Sequence, residues 1–464
     1  MKNLFAFLLI FLSLTQISLA QVEDNPGTGL IFNDQQYEQD LMKAPLTRSL
    51  YGTSLPSSAS LKQWAPTPKS QGQYGTCVGW ATAFCAYTII EAKKNGWTDK
   101  ATIDANTFSP GFIYKQIKTP SDNSCKLGSS ISDALELIKT KGVAKYRNLD
   151  INCPTSIPFD LFNEASKYKI QDYAKLFDLY DSENFKVEAV KKSLSQGKPV
   201  VIGMKVPKSF DTAKNYWIPT EDPSGNYGGH AMCVIGYDDN KYGGAFEIQN
   251  SWGTWWGNNG YIWVRYNDFK QWVKYAYELI EIPQKTANNY IQLAGSVKLI
   301  QSNGNQMTAS FVNGYYRTKN AYKSGTKFRI YISNNEPAFV YAFGSDATLQ
   351  VFPVFPHKPN ISPALNYKQN DVAIPDEQHY IEMDNTVGKD YLVILYSIEP
   401  IDIKQVYRDI EHTSGDFISR VKTVLADKLV RANEVRFNTN VISFKAKTKD
   451  KSAVAMIIET KHIK

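Results

Sequence analysis

The polar run QKTANN at residues 284–289 divides a chain of 464 residues into two parts whose hydrophobic patterns demand different architectures. Upstream, helical and strand-like segments alternate. Residues 78–94 place Trp80, Phe84 and Tyr87 roughly on one helical face and stop at Gly96. Ile131, Ala134, Leu135 and Ile138 repeat at helical spacing, with Ser129 or Ser130 as the cap and Gly142 as the stop. PVVIGMKV (199–206) and AMCVIGY (231–237) are short apolar runs bounded by glycine, the signature of buried strands. Downstream of the linker the period falls to two. Phe328, Ile330 and Ile332 alternate with polar residues, and FVYAF (339–343) and YLVILY (391–396) follow between proline-rich loops. Residues 403–429 read as two short helices broken at Ser414-Gly415, and two strand-like runs end the chain. The expected class is α+β for residues 55–283, followed over 290–464 by an all-β, sandwich- or jelly-roll-like part with its own core.

The first residues, MKNLFAFLLIFLSLTQISLA, carry one Lys, an apolar run and small residues before Gln21. That is the plan of a secretory leader cut near Ala20-Gln21. No later run approaches the roughly 20 apolar residues that span a bilayer, so the mature chain is expected to be secreted, periplasmic or extracellular. Residues 21–54 are polar and turn-rich, a pro-segment or a loosely packed N-terminal extension. Lysine and arginine number 52 against 45 acidic residues. This mild excess contains no dense basic block with interleaved aromatics, which argues against nucleic-acid binding.

Chemistry is confined by histidine usage. Before the linker there is one histidine, His230, in YGGHAMCVIGYDD; His357, His379, His412 and His462 lie beyond it. One histidine without a C-x-x-C pair is too few ligands for a zinc site, and no metal or cofactor is expected. A nucleophile–base pair needs only one of each. Five cysteines in an exported chain leave at least one unpaired thiol, which calls for a reason. Cys77 follows the loop QGQYGT at the start of a helix. His230 comes 153 residues later, and Asn250 opens NSWGTWWGNNGYIWV twenty residues beyond that.

QGQYGTCVGWATAF, GGHAMCVIGYDD and NSWGTWWGNNGYIWV together, in this order, resemble the papain family of cysteine peptidases over about residues 55–280, closest to secreted bacterial members. The resemblance implies a two-lobed fold, one lobe helical and one barrel-like, and a peptidase acting on protein or peptide substrates. Cys77 would be the nucleophile, its thiolate favoured by the helix start and by a protonated His230. Asn250 would orient the imidazole, and Gln71 would aim an amide N–H at the developing oxyanion. Trp252 would cover the Asn–His contact. Ile131 and Ala231 are candidates for the substrate-binding pocket by position alone.

Simpler readings compete at each cysteine. Cys77 could be a core residue, but the spacing to Gln71 and the unique His230 argue otherwise. Cys85, inside the same helix, and Cys233, on a strand, read as packed core thiols. Cys125 and Cys153 bracket the 131–138 helix in loop-like sequence and are expected to form a disulfide. Trp255 and Trp256 read as packing residues and His357 as solvated. Three departures from the family pattern stand out: Tyr74 three before Cys77 where a cysteine is usual, Val78 after it where an aromatic is usual, and Gly229 before His230. The rival functions are a catalytically silent papain-fold binding module and a Cys-His acyltransferase such as a transglutaminase. The region of about 290–400 resembles a bacterial β-rich domain of unknown function appended to envelope enzymes, expected to be a stability or docking module without catalysis of its own, the docking reading implying a cell-envelope or protein ligand.

Overall fold

The computed structural model describes residues 26–44, 55–281, 290–366 and 371–464. The leader over residues 1–20, the Ala20-Gln21 junction and the QKTANN linker lie outside the described residues. Two hydrophobic cores organise the chain, one built almost wholly from residues before the linker and one mainly from residues after it.

The first core is centred on the helix over residues 77–95, which runs α-helical at Cys77–Gly79, π-helical at Trp80–Tyr87 and α-helical at Thr88–Asn95. It is buried all round as far as Ala92, so it is a central core helix and not the one-faced amphipathic helix of the sequence reading. Gly96, at φ +66°, closes it in the left-handed conformation that a Cβ disfavours. Trp80 stacks at a tilt on Phe84 with ring centroids 4.6 Å apart, and its Nε1 donates to Asn152 Oδ1 at 3.0 Å. The helix start lies tight against Pro110–Ile117, where a Cβ on Gly79 would come within 2.5 Å of the Pro110 carbonyl. Ile131–Thr140 completes this helical lobe; Ser130 caps it by accepting from Asp133 N, and Gly142 follows at φ +86°.

The other lobe is one eight-stranded sheet. Along it run Asp172–Lys175, Val273–Ile280, Val200–Val206, Gly228–Asp238, Ala245–Gln249, Tyr261–Arg265 and Tyr216–Trp217, with Ser58–Ser60 also paired to Gly228–Asp238. All pairs are antiparallel except the last in the row. The 77–95 helix packs on Gly228–Asp238, the central strand.

After the linker, two sheets face each other. Ala453–Ile463, Gly388–Ser397 and Ala338–Ser345 form the middle of one; Lys327–Asn334, Ile291–Gln301 and Ser443–Thr448 form the middle of the other. The Tyr396 ring, from the first sheet, meets Phe444 of the second with centroids 5.1 Å apart. Helices Ile403–His412 and Phe417–Val424, separated at Gly415 (φ +112°), cover one face through Tyr407 on Phe343 and Phe417 on Tyr391. The architecture is the all-β sandwich with short helices that the alternating pattern predicts.

The second core is not self-contained. Ala44, Ala174 and Ile280 from the first part pack into it. Residues 26–44 are also far from loosely packed, in contrast to what their polar composition suggests. Tyr37, on the short helix Asp34–Gln39, is fully buried, stacks on Tyr275 at 4.2 Å and donates to the Phe177 carbonyl. Asp40 accepts from Tyr277 and Ser132, each at 2.6 Å. His357 is half-buried instead of solvated, and burial lowers its pKa.

Cys125 and Cys153 are joined in a disulfide that closes a loop across 28 positions, with Cα atoms 5.8 Å apart. On the chain-entropy account such a loop is worth about 3–4 kcal/mol. Cys153→Ser should therefore lower the melting temperature by roughly 5–15 °C with an unchanged far-ultraviolet spectrum. Thermal unfolding followed by circular dichroism checks this, and an unaltered transition would refute it.

Candidate active site

Four side chains far apart in sequence meet where the helix start faces the central strand. Cys77 occupies the first turn of the 77–95 helix, and its Sγ accepts a hydrogen bond from the backbone N–H of Ala231 at 3.4 Å. His230, the preceding residue on that strand, brings its Nε2 to 2.7 Å from Asn250 Oδ1. The same oxygen accepts from the backbone N–H of Ser251 at 2.7 Å, which fixes the amide orientation. Nε2 must therefore carry a proton toward Asn250, leaving Nδ1 as the nitrogen with a free lone pair in the neutral ring. Nδ1 is buried and has no hydrogen-bond partner among the described residues. Trp252 stacks on the imidazole with centroids 4.8 Å apart and an interplanar angle of 27°, shielding the His–Asn contact.

Gln71 is fully buried beside this set. Its Nε2 donates to the Tyr74 carbonyl at 2.7 Å and its Oε1 accepts from Ser251 Oγ at 2.6 Å. One N–H of the amide remains uncommitted by these contacts. Ser251 is thus the stitch of the site: it orients both Asn250 and Gln71, and its carbonyl also accepts from Gln71 N at 2.8 Å. Nothing in the sequence singled it out beyond its position next to Asn250. Cys85 and Cys233 are free, buried and part of the core. Trp256 is buried in the core, whereas Trp255 is largely exposed.

The cleft between the lobes is filled by residues 26–33 of the chain itself. Gly29 N and Leu30 N donate to the Gly229 carbonyl at 3.2 and 3.0 Å on the sheet side. Ser129 N donates to the Gly29 carbonyl at 2.8 Å, and Ile31 N to the Ser129 carbonyl at 3.0 Å, on the helical side. Gly27 N donates to the Gly72 carbonyl, and Trp252 Nε1 to the Gly27 carbonyl at 2.9 Å. The strap is extended backbone held by both walls, the same physics by which clefts bind peptides as added strands.

Glycine makes this approach possible on both sides. A Cβ on Gly29 would lie 2.3 Å from the Gly75 carbonyl oxygen, and one on Gly229 would lie 2.4 Å from that of Leu30. Gly229, a departure from the family pattern, is thereby a fitted contact. Leu30 seats its side chain at Gly203, where a Cβ would meet Leu30 Cδ2 at 2.7 Å. Gly203 pairs across the sheet with Ala231, and Leu30 bridges to Ser129, two residues before Ile131. Ala231 thus lies across the sheet from Gly203, and Ile131 two residues beyond the bridge partner of Leu30.

Burial works against the charged forms of both groups. Desolvation pushes the Cys77 thiol up to about 12 despite backbone hydrogen bonds to it. It pulls His230 down to about 4, against the raising effect of Asn250. Both shifts favour the neutral thiol and the neutral imidazole over a thiolate–imidazolium pair.

Comparison with known proteins follows this geometry. Residues 59–282 match the family described as papain family cysteine protease, and residues 321–400 match a domain of unknown function, DUF4384. An uncharacterized peptidase C1-like protein of Acanthamoeba polyphaga mimivirus is 29% identical over 209 residues, 42% of this chain. That match spans 63% of the viral protein, less than two thirds of its length. Cysteine proteinase 3 of Entamoeba histolytica is 23% identical over 52% of this chain and 76% of its own. The crystal structure of xylellain, a cysteine protease from Xylella fastidiosa, aligns over 56% of this chain and 97% of its own at 21% identity, with a TM-score of 0.44.

Replacing Gly29 by valine puts branched carbon where the Gly75 backbone already stands. Gly29→Val should unseat the strap and speed amide hydrogen exchange at residues 27–31 about tenfold or more, while the 77–95 helix stays protected. Unchanged exchange at those amides would refute the fit described here.

Proposed function

Residues 59–282 belong to the papain family of cysteine proteases, and on that footing we propose that the chain is an exported cysteine endopeptidase held latent by its own residues 26–33. The observation that carries this reading is the placement of Cys77 against the backbone next to His230, with Asn250 holding the ring's other side. When the strap leaves, water re-enters and removes the desolvation that keeps the pair neutral; the thiol proton passes to His230 Nδ1. The thiolate attacks a peptide carbonyl carbon, forming a C–S bond and an oxyanion. The oxyanion accepts from the remaining Gln71 amide N–H, a contact of the kind worth roughly 2.7–4 kcal/mol. His230 then protonates the departing amine as the C–N bond breaks. In the second half His230 takes a proton from water, whose oxygen displaces sulfur from the thioester and restores Cys77.

The cleft's grip on an extended backbone supports a peptide substrate. The Leu30 seat, flanked by Gly203, Ala231 and the start of the Ile131 helix, marks where a branched apolar side chain would sit, and Trp252 would meet the chain on the other side of the thiol. Export is supported by the leader-like residues 1–20 together with the Cys125–Cys153 disulfide, which belongs in an oxidising compartment.

The strap is anchored at its far end by both parts of the protein. Lys43 N donates to the Lys175 carbonyl at 2.8 Å, and Ser362 N, from the sandwich, donates to the Met42 carbonyl at 2.8 Å. Buried Lys43 Nζ lies 2.6 Å from Glu278 Oε2, whose other oxygen accepts from Asn366 Nδ2 at 2.7 Å. Burial alone would raise the Glu278 pKa, but Lys43 and Lys198 outweigh it and hold the carboxyl below its ordinary 4.5. A depressed value means that the carboxylate supports docking at every pH above the ordinary value. That support is lost as pH falls through the depressed one.

Two outcomes follow. Cys77→Ala in the strap-displaced Gly29→Val background should abolish peptide hydrolysis, lowering kcat by about 10⁴-fold or more. Retained hydrolysis in that double variant would remove Cys77 from the chemistry, and a Gly29→Val protein with no hydrolysis would favour the silent binding module. Separately, the full chain should gain activity after incubation at about pH 3.5 but not at about pH 5.5, assayed at one common pH. Equal activation at both would show that the Lys43–Glu278 contact does not hold the strap.

A further inference from the structure

The β-sandwich encloses a cavity that the peptidase reading leaves unused. It measures about 290 Å³, close to the ~300 Å³ lower end of small-molecule sites. Its floor is apolar and contributed by the second sheet and adjoining loops: Leu299, Met307, Ile330 and Met383 are all buried, and the first sheet adds Leu392 to the lining. Phe352 lies at the mouth, nearly half exposed.

Every ionisable side chain in the lining that carries charge near neutral pH is a carboxylate: Asp346, Glu382, Asp384 and Asp390. This is four acids and no base, in a chain whose net charge is +7. The neighbouring bases are largely committed. Lys389 lies 3.3 Å from Glu459, Lys327 lies 3.4 Å from Glu382 at the rim, and His462 Nδ1 lies 3.0 Å from Asp390 Oδ2. Among the described residues, Asp346 and Asp384 accept side-chain hydrogen bonds only within their own turns, from Thr348 and Thr386.

Two polar atoms in the lining are left over. Ser345 is fully buried and its Oγ has no hydrogen-bond partner among the described residues; Asp390 Oδ1 is likewise buried and unpartnered among them. A buried polar group without a partner costs about 1–3 kcal/mol, more when charged. Such groups at the wall of an apolar cavity are what a ligand with one polar end would satisfy. Burial pushes the Asp390 carboxyl up to about 6 against the pull of His462, so its charge is poorly compensated as it stands.

We propose that this cavity binds a small amphiphilic amine: an apolar body on the Leu299–Ile330–Met383 floor and one ammonium group on Asp390 and Ser345, ringed by Asp346 and Asp384. The site is independent of the cleft and of peptide hydrolysis. The acidic ring selects the sign of the head group, and the floor selects an apolar body over a hydrated cation.

The test uses the full chain and three probes that share one six-carbon body: hexylammonium, hexanol and hexanoate. Isothermal titration should give hexylammonium a Kd about tenfold or more below that of hexanol, with no detectable binding of hexanoate. Asp390→Asn should weaken hexylammonium about tenfold and leave hexanol unchanged. Val354→Trp, at a half-buried lining position, should abolish both, with circular dichroism verifying its fold. The probe series needs no variant, so it stands even if Val354→Trp misfolds. Equal affinity for the three probes, binding of hexylammonium that ignores Asp390→Asn, or no binding of hexylammonium at millimolar concentration would each overturn the proposal.

Discussion

Five backbone hydrogen bonds from residues 27–31 to Gly72, Ser129 and Gly229 are the contact on which the state of this molecule depends. They join the two lobes across the cleft, at Gly229 next to buried His230, and set the course of the chain toward Met42 and Lys43. Backbone pairing of this kind is indifferent to side-chain identity except where space is shortest. There the sequence has glycine on both faces: Gly29 against Gly75, and Gly229 against Leu30.

Burial sets the electrostatics. A thiol and an imidazole in water sit a few pH units apart and can exchange a proton; desolvation here drives their values to about 12 and about 4. The hydrogen bonds that orient the set do not relax with it. Asn250 still holds His230, Ser251 still holds Asn250 and Gln71, and Trp252 still covers the ring. The hydrogen-bond geometry is thus in place while burial disfavours the charged form of both groups, and under the proposed function solvent access separates the two. The anchor is shared by Lys43, ten residues beyond the strap, Glu278 of the first part and Asn366 of the sandwich, so the segment that carries the strap is held by both parts.

Much of this was legible in the residues. The buried strands around residues 200–206 and 231–237, the 131–140 helix with its serine cap and the alternating strands beyond 327 follow from local periodicity. The grouping of Cys77, Gln71, His230 and Asn250 was legible because each sits in a short stretch that resembles the papain family, and because one histidine precedes the linker. Residues 26–44 were not legible. Their order comes from partners roughly 45 to 320 positions away, and extended backbone bonding leaves no apolar period behind. The all-round burial of the 77–95 helix was hidden for a related reason: its alanines, threonines and glycine look neutral until neighbours close on every side. Ser251 gave no signal because a serine's value here lies entirely in two hydrogen bonds set by tertiary structure.

The most direct measurement is the rate at which iodoacetamide alkylates each cysteine at neutral pH, in the intact chain and after the strap has been displaced. Peptide mapping separates Cys77, Cys85 and Cys233. The account predicts that all three are inert in the intact chain, and that displacement makes Cys77 alone react, faster than an ordinary thiol. Rapid alkylation of Cys77 with the strap in place, or uniform labelling of all three thiols after displacement, would contradict it.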